Sequence, residues 1–128
     1  MRKAEKGETS AQVAILTPLL FTLVFAVVHT CSLWIAAQTA QVAARRGARA
    51  ASTAGPGIAP YENADIAVRT TLRELGGRLD APLRVDVSGS TVMVEVSVHF
   101  EGIVPFLPDR VVRAASLPLE QFVAEEER

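Results

Sequence analysis

The sequence has few of the residues that build catalytic, metal or disulfide sites. Its 128 residues include one cysteine, Cys31, and two histidines. One cysteine excludes an internal disulfide and a cysteine-based metal site, and neither metal-ligand spacing nor a glycine-rich phosphate loop occurs. The formal net charge of -1 gives no strong field that would attract nucleic acid. We therefore expect no enzyme activity, no catalytic residue, no metal or cofactor, and no nucleic-acid partner.

Charge is also missing from one long stretch, because no Asp, Glu, Lys or Arg occurs between Glu8 and Arg45. Within it, Val13 to Ala37 exceeds the roughly 20 apolar residues that cross a bilayer as a helix. A buried core helix of a soluble protein is the alternative, but a 128-residue chain leaves too little sequence to cover such a helix on all sides. The stretch predicts a transmembrane helix.

A cleaved signal peptide is a second alternative, since basic residues precede the apolar run and Val42-Ala43-Ala44 resembles a cleavage site. Signal peptides, however, carry an apolar region of only about 7–15 residues. We therefore expect a retained single-pass anchor in the cell membrane.

Basic residues lie on both sides of the anchor, Arg2, Lys3 and Lys6 before it and Arg45, Arg46 and Arg49 after it, so the positive-inside bias alone leaves its orientation near a tie. The short N-terminal tail cannot hold a domain, whereas the chain after Arg49 can. We expect a cytoplasmic N-terminus and an exported C-terminal domain. The predicted division is a basic leader and processing region at 1–12, a membrane and projecting helix at 13–54, an extracytoplasmic domain at 55–124 and an acidic tail at 125–128.

The helical pattern continues past the membrane to a stop at Gly55-Pro56-Gly57. Pro18 is expected to kink the helix, and His29, isolated in the apolar run, to be a neutral side chain hydrogen-bonded within a helix bundle. Small residues recur at every fourth position along one face, which allows another backbone to approach closely. This stripe of predicted helix-packing residues comprises Ser32, Ala36, Ala40, Ala44, Ala48 and Ser52.

The remaining sequence predicts a small α+β domain. A second helix begins near Pro60, places apolar residues from Ala64 to Leu79 on one face and ends or frays at Gly76-Gly77. Period-two alternation predicts a strand over 83–88 and another over 92–101, joined as a hairpin, and a third strand over 111–120. The fold class is α+β, with a long N-terminal membrane helix, a second short helix and a three-stranded, largely antiparallel sheet. Acidic residues on the strands, Asp86, Glu95 and Glu101, are interpreted as solvated.

The stretch GETSAQVAILTPLLFTLVFAVVHT followed by QTAQVAARRGARAAS resembles the N-terminal segment of TadE-like proteins, minor pilins or pseudopilins of tight-adherence pilus systems. The matching features are Gly7, the early Pro18 and the alanine-rich residues 43–51. The hairpin and the closing ASLPLEQF are more loosely similar to the C-terminal part of such proteins. The resemblance implies a pilin-like domain, partner pilins or pilus-assembly proteins bound through the N-terminal helix, and a place in a surface pilus.

The resemblance also implies processing by prepilin peptidase between Gly7 and Glu8. In such proteins a glutamate at the fifth mature position pairs with a neighbour's new amino terminus, and here that position is Gln12. An amide can donate and accept hydrogen bonds but carries no charge. The departure keeps a second hypothesis open, a membrane-tethered accessory binding protein of an envelope or secretion complex that never enters a filament.

Overall fold

The computed structural model describes residues 2–54 and 58–119, with side chains from Thr9 onward. Helix α1 is Arg2–Ser52 and helix α2 is Ala59–Leu75. At about 1.5 Å per residue, the 51 residues of α1 extend over roughly 75 Å. The helix is continuous through Pro18, and the expected kink stays a prediction. The predicted stop at 55–57 and the acidic tail at 125–128 lie outside the described residues.

Helix α2 begins and ends where its sequence predicts. Pro60 lies in its first turn with Glu62 beside it, and Gly76 adopts a left-handed φ of +71° just after its last residue. The Gly77 N–H donates to the Leu72 carbonyl at 2.8 Å and the Gly76 N–H to the Arg73 carbonyl at 3.5 Å. This pattern is a Schellman cap, which glycine permits because it has no Cβ.

The sheet is antiparallel and has four strands: β1 Arg78–Leu79, β2 Arg84–Ser88, β3 Thr91–His99 and β4 Arg110–Pro118. Central β3 pairs with β4 along one edge and with β2 and then β1 along the other. The expected α+β architecture is confirmed, but the sheet has one strand more than the three that the sequence predicted. Strand β1 has only two residues, too few for period-two alternation, and it pairs with the part of β3 that β2 leaves free.

The core lies between the two helices and one face of the sheet. The valines of β3 at 92, 94, 96 and 98 are buried against alanines of α1 and against Ala64, Val68 and Leu72 of α2. Because alanine side chains are short, the α1 backbone lies close to the sheet. Gly47 shows how close, since a Cβ added there would lie 3.2 Å from Val94 Cγ1. The C-terminal half of α1 is therefore an integral part of the domain.

Candidate membrane-anchoring and helix-packing site

Helix α1 consists of two parts with opposite environments. Every side chain from Thr9 to Val28 is exposed, including the large apolar residues, whereas His29 is the first to be buried. We call residues 9–28 the bare segment. About 20 helical residues cover the roughly 30 Å hydrocarbon core of a bilayer. Among the described residues, α1 is the one helix long and apolar enough to cross a membrane.

Three threonine hydroxyls in and next to this apolar segment are satisfied inside the helix. Thr17 Oγ1 donates to the Val13 carbonyl at 2.7 Å, and Thr22 Oγ1 donates to the Pro18 carbonyl at 2.8 Å. Thr30 makes the same contact with the carbonyl of Ala26. A polar group without a partner is costly in hydrocarbon, so these bonds make the hydroxyls compatible with lipid.

His29 lies at the boundary between the two parts, and the chain's own loop after β3 covers it. Its ring centroid is 5.7 Å from that of Phe100, with an interplanar angle of 59°. The ring lies so close to Gly102 that a Cβ there would be 3.3 Å from its Cε1. Nδ1 is buried and has no hydrogen-bond partner among the described residues. Residues of the distal domain therefore surround this side chain, and a bundle of neighbouring helices is not needed to bury it.

The small-residue stripe faces the chain's own domain along most of its length. Ala40, Ala44 and Ala48 are fully buried, Ala36 and Ser52 are 5% exposed, and Ser32 is half-buried. The close backbone approach that the stripe permits takes place within one protomer, against β3, β4 and α2. Among the side chains beyond His29, Trp34 and Ile35 are well exposed, at 64% and 59%.

The processing residues lie at the start of α1. Gly7 and Glu8 belong to the helix by their backbone, while their side chains lie outside the described set, and Gln12 is exposed at the N-terminal end of the bare segment. The small-residue stripe lies further along the same helix. Pro18 lies between them, within the bare segment.

Ion pairs on the domain surface join its elements without forming a cluster that could hold a metal, as far as the described residues extend. Arg46 of α1 donates to Glu74 of α2 at 3.0 Å, and both side chains are more than half exposed. In α2, the Arg69 Nε–H donates to the Asp65 carboxylate, and this hydrogen bond together with the negative charge of Asp65 raises the pKa of Arg69. The strand carboxylate Glu95 lies 3.9 Å from Arg84 on the solvent side of the sheet.

Sequence reasoning missed one feature of this region. The loop between β3 and β4 was expected only as a proline-punctuated connection, yet its apolar side chains Ile103, Phe106 and Leu107 are exposed, and Gly102 at its start lies close to His29 at the end of the bare segment. The only available signal was the absence of charge from Gly102 to Pro108.

Residues 7–49 match the family model described as TadE-like protein. The match covers about a third of the chain and falls entirely within α1. No curated protein and no solved structure matches the chain. The TadE-like resemblance of the N-terminal segment is thereby confirmed, and the apolar helix α1 supports a single-pass membrane protein.

Proposed function

We propose that this TadE-like chain is a minor pilin or pseudopilin that acts in assembly or anchoring of a tight-adherence type IV pilus. Its role is structural, and its partners are the bilayer and other pilins or pilus-assembly proteins. The observation that carries the proposal is the division of α1 within the TadE-like match. One half is a bare apolar helix, and the other half is built into a folded domain.

A subunit with an exposed apolar helix can replace its contacts with lipid by contacts with the helices of neighbouring subunits. The bare segment exposes leucine, valine and phenylalanine side chains on all sides, which suit both the hydrocarbon of a bilayer and the apolar helices of other subunits. The stripe from Ala36 to Ala48 is occupied by the protomer's own sheet and second helix. We therefore assign contacts with other subunits to residues 9–28.

We propose the orientation from the size of the two ends, because the short N-terminal tail holds no domain and the chain after α1 does. The N-terminal tail is cytoplasmic and the domain after α1 is extracytoplasmic, so that prepilin peptidase meets the Gly7-Glu8 junction at the cytoplasmic face of the membrane. Gly7 places no side chain before the cut, and Glu8 becomes the first mature residue. Arg2, Lys3 and Lys6 would be removed with the leader.

Gln12 favours a second candidate function, the tethered accessory protein that remains in the membrane. An uncharged amide cannot form the ion pair with a neighbour's amino terminus that the family resemblance implies for this position. Such a protein would use the same anchor and the same exported domain. The two candidates differ in processing and in whether the chain is found in sheared filaments.

The test is the mass of the mature protein from cells that carry wild type or Gly7→Leu. A bulky side chain before the cut should block processing, leaving the full-length chain in the membrane and reducing piliation. Ala4→Leu adds similar bulk within the leader and should be processed like wild type. Insertion should be unaffected in both variants, because both positions lie outside the bare segment. Identical cleavage states and identical pili for wild type and Gly7→Leu would contradict the pilin proposal and favour the tethered accessory protein.

A further inference from the structure

The loop that connects β3 to β4 carries an unusual concentration of exposed apolar side chains. Residues 102–108 contain no charged side chain, and Ile103 and Leu107 are each about half exposed. Phe106 at the tip is fully exposed. We call residues 102–108 the apolar loop. Three large exposed apolar side chains within one short segment are typical of a surface that contacts a membrane or another protein.

The backbone of the apolar loop holds Phe106 outward. Pro105 precedes Phe106 in a turn, and Phe106 has a φ of +75°, a left-handed conformation that is unfavourable for a bulky residue. The base of the loop is closed by a 2.8 Å hydrogen bond from the Phe100 N–H to the Asp109 carbonyl. A strained residue at the tip of a closed loop suggests a functional constraint on where its ring points.

The loop lies at the end of the domain that faces the bilayer. Residues 98–101, leading into the loop, lie beside Ile35 and Ala36 of α1, and Phe100 and Gly102 cover His29. His29 immediately follows the bare segment, whose length matches the hydrocarbon core. The opposite end of the sheet, at residues 115–117, lies beside Gln41 to Arg49, further from the bilayer.

Exposed Trp34 lies at the same level of the molecule. It follows His29 by about 7.5 Å along the helix axis and is 64% exposed. Tryptophan is enriched where the hydrocarbon core meets the polar headgroups, because its ring is apolar while its N–H can remain hydrated. Trp34 and the apolar loop therefore lie at the same level of the molecule, just beyond the end of the bare segment.

We propose that the apolar loop inserts into the membrane interface, with Ile103, Phe106 and Leu107 in contact with the lipid that surrounds α1. The occupant of this surface is the bilayer, because the loop continues the lipid-facing surface of the bare segment and meets α1 at its boundary. The loop then serves as a second attachment point that fixes the domain close to the membrane. The inference rests only on the membrane anchoring in the proposed function and not on the pilus role.

The test uses the full-length protein in vesicles of phosphatidylcholine and phosphatidylglycerol. Trp34→Phe removes the single tryptophan, and Phe106→Trp then places a fluorophore at the loop tip. The matched control is Ser90→Trp in the same background, in the exposed β2–β3 turn at the far end of the domain. We expect Phe106→Trp to emit at shorter wavelength than Ser90→Trp, to lose most of its intensity with acyl-brominated lipids and to resist aqueous acrylamide.

Equal emission wavelength and equal acrylamide quenching for the two variants would overturn the inference. A blue shift that disappears when the protein is diluted in lipid would also overturn it, because a second copy and not the bilayer would then cover the loop. Circular dichroism confirms that both variants fold, and Leu107→Trp repeats the measurement at a second loop position. The test is independent of cleavage at Gly7, so its failure would leave the pilus proposal intact.

Discussion

Gly47 of α1 and Val68 of α2 approach so closely that a Cβ at position 47 would lie 2.7 Å from Val68 Cγ2. This contact joins the helix that anchors the protein to the helix that completes its domain. Only a residue without a side chain fits at this crossing, because the Val68 side chain is fully buried and cannot move into solvent.

Gly47→Ala should therefore destabilise the domain. Overpacking a buried contact costs about 1–3 kcal/mol, and the better helix propensity of alanine returns up to about 1 kcal/mol. We expect a lower melting temperature for the full-length protein in detergent, measured by circular dichroism. Val68→Ala supplies the matched test, since the shorter side chain leaves room for the new methyl group. An alanine at 47 that costs as much in the Val68→Ala background as in wild type would show that this contact is not the cause.

A fragment that begins at Ala36 should unfold cooperatively and at a higher temperature than one that begins at Pro56. The longer fragment keeps Ala40, Ala44 and Ala48, which cover the buried valines of β3, whereas the shorter one exposes them to water. A small sheet with one helix and no disulfide has little other apolar surface to bury. Thermal melts of the two fragments at equal concentration provide the measurement. Equal melting temperatures would mean that α1 contributes nothing to domain stability.

External cysteine labelling should reach Ser90→Cys in a Cys31→Ala background in intact cells. Ser90 is exposed in the β2–β3 turn, at the end of the domain away from the bilayer, and the proposed orientation places that turn outside. Cys31→Ala alone lacks any thiol and is the background control. Labelling that occurs only in permeabilised cells would contradict the proposed orientation, because the β2–β3 turn would then lie inside the cell.

Gln12→Glu should increase incorporation of the protein into filaments if the chain is a pilin. Gln12 is exposed at the start of the bare segment, where a carboxylate could pair with the amino terminus of an adjacent subunit. The ratio of filament-bound to membrane-bound protein after shearing measures the effect. Gln12→Met is the control, because it has a similar length and no charge. If both variants distribute like wild type, the chain acts without that pairing.

The sequence by itself determined the elements whose causes are local. A charge-free apolar run predicts the anchor, Gly76-Gly77 ends α2 because glycine accepts the left-handed cap, and alternating valines from Val92 to Val98 predict the central strand. The family resemblance was likewise carried by consecutive residues in one helix. Each of these signals depends on neighbours in the chain, so each could be found without knowledge of the fold.

Only the tertiary structure decided which surface each element meets. The repeated alanines of α1 permit close packing with any backbone, and the fold assigns them to the chain's own sheet and second helix. Strand β1 exists because β3 extends beyond β2 and leaves backbone groups to pair. The apolar loop lies at the end of the bare segment because Phe100 and Gly102 contact His29, about 70 residues earlier in the chain. These outcomes depend on distances between remote residues, which no local pattern in the sequence specifies.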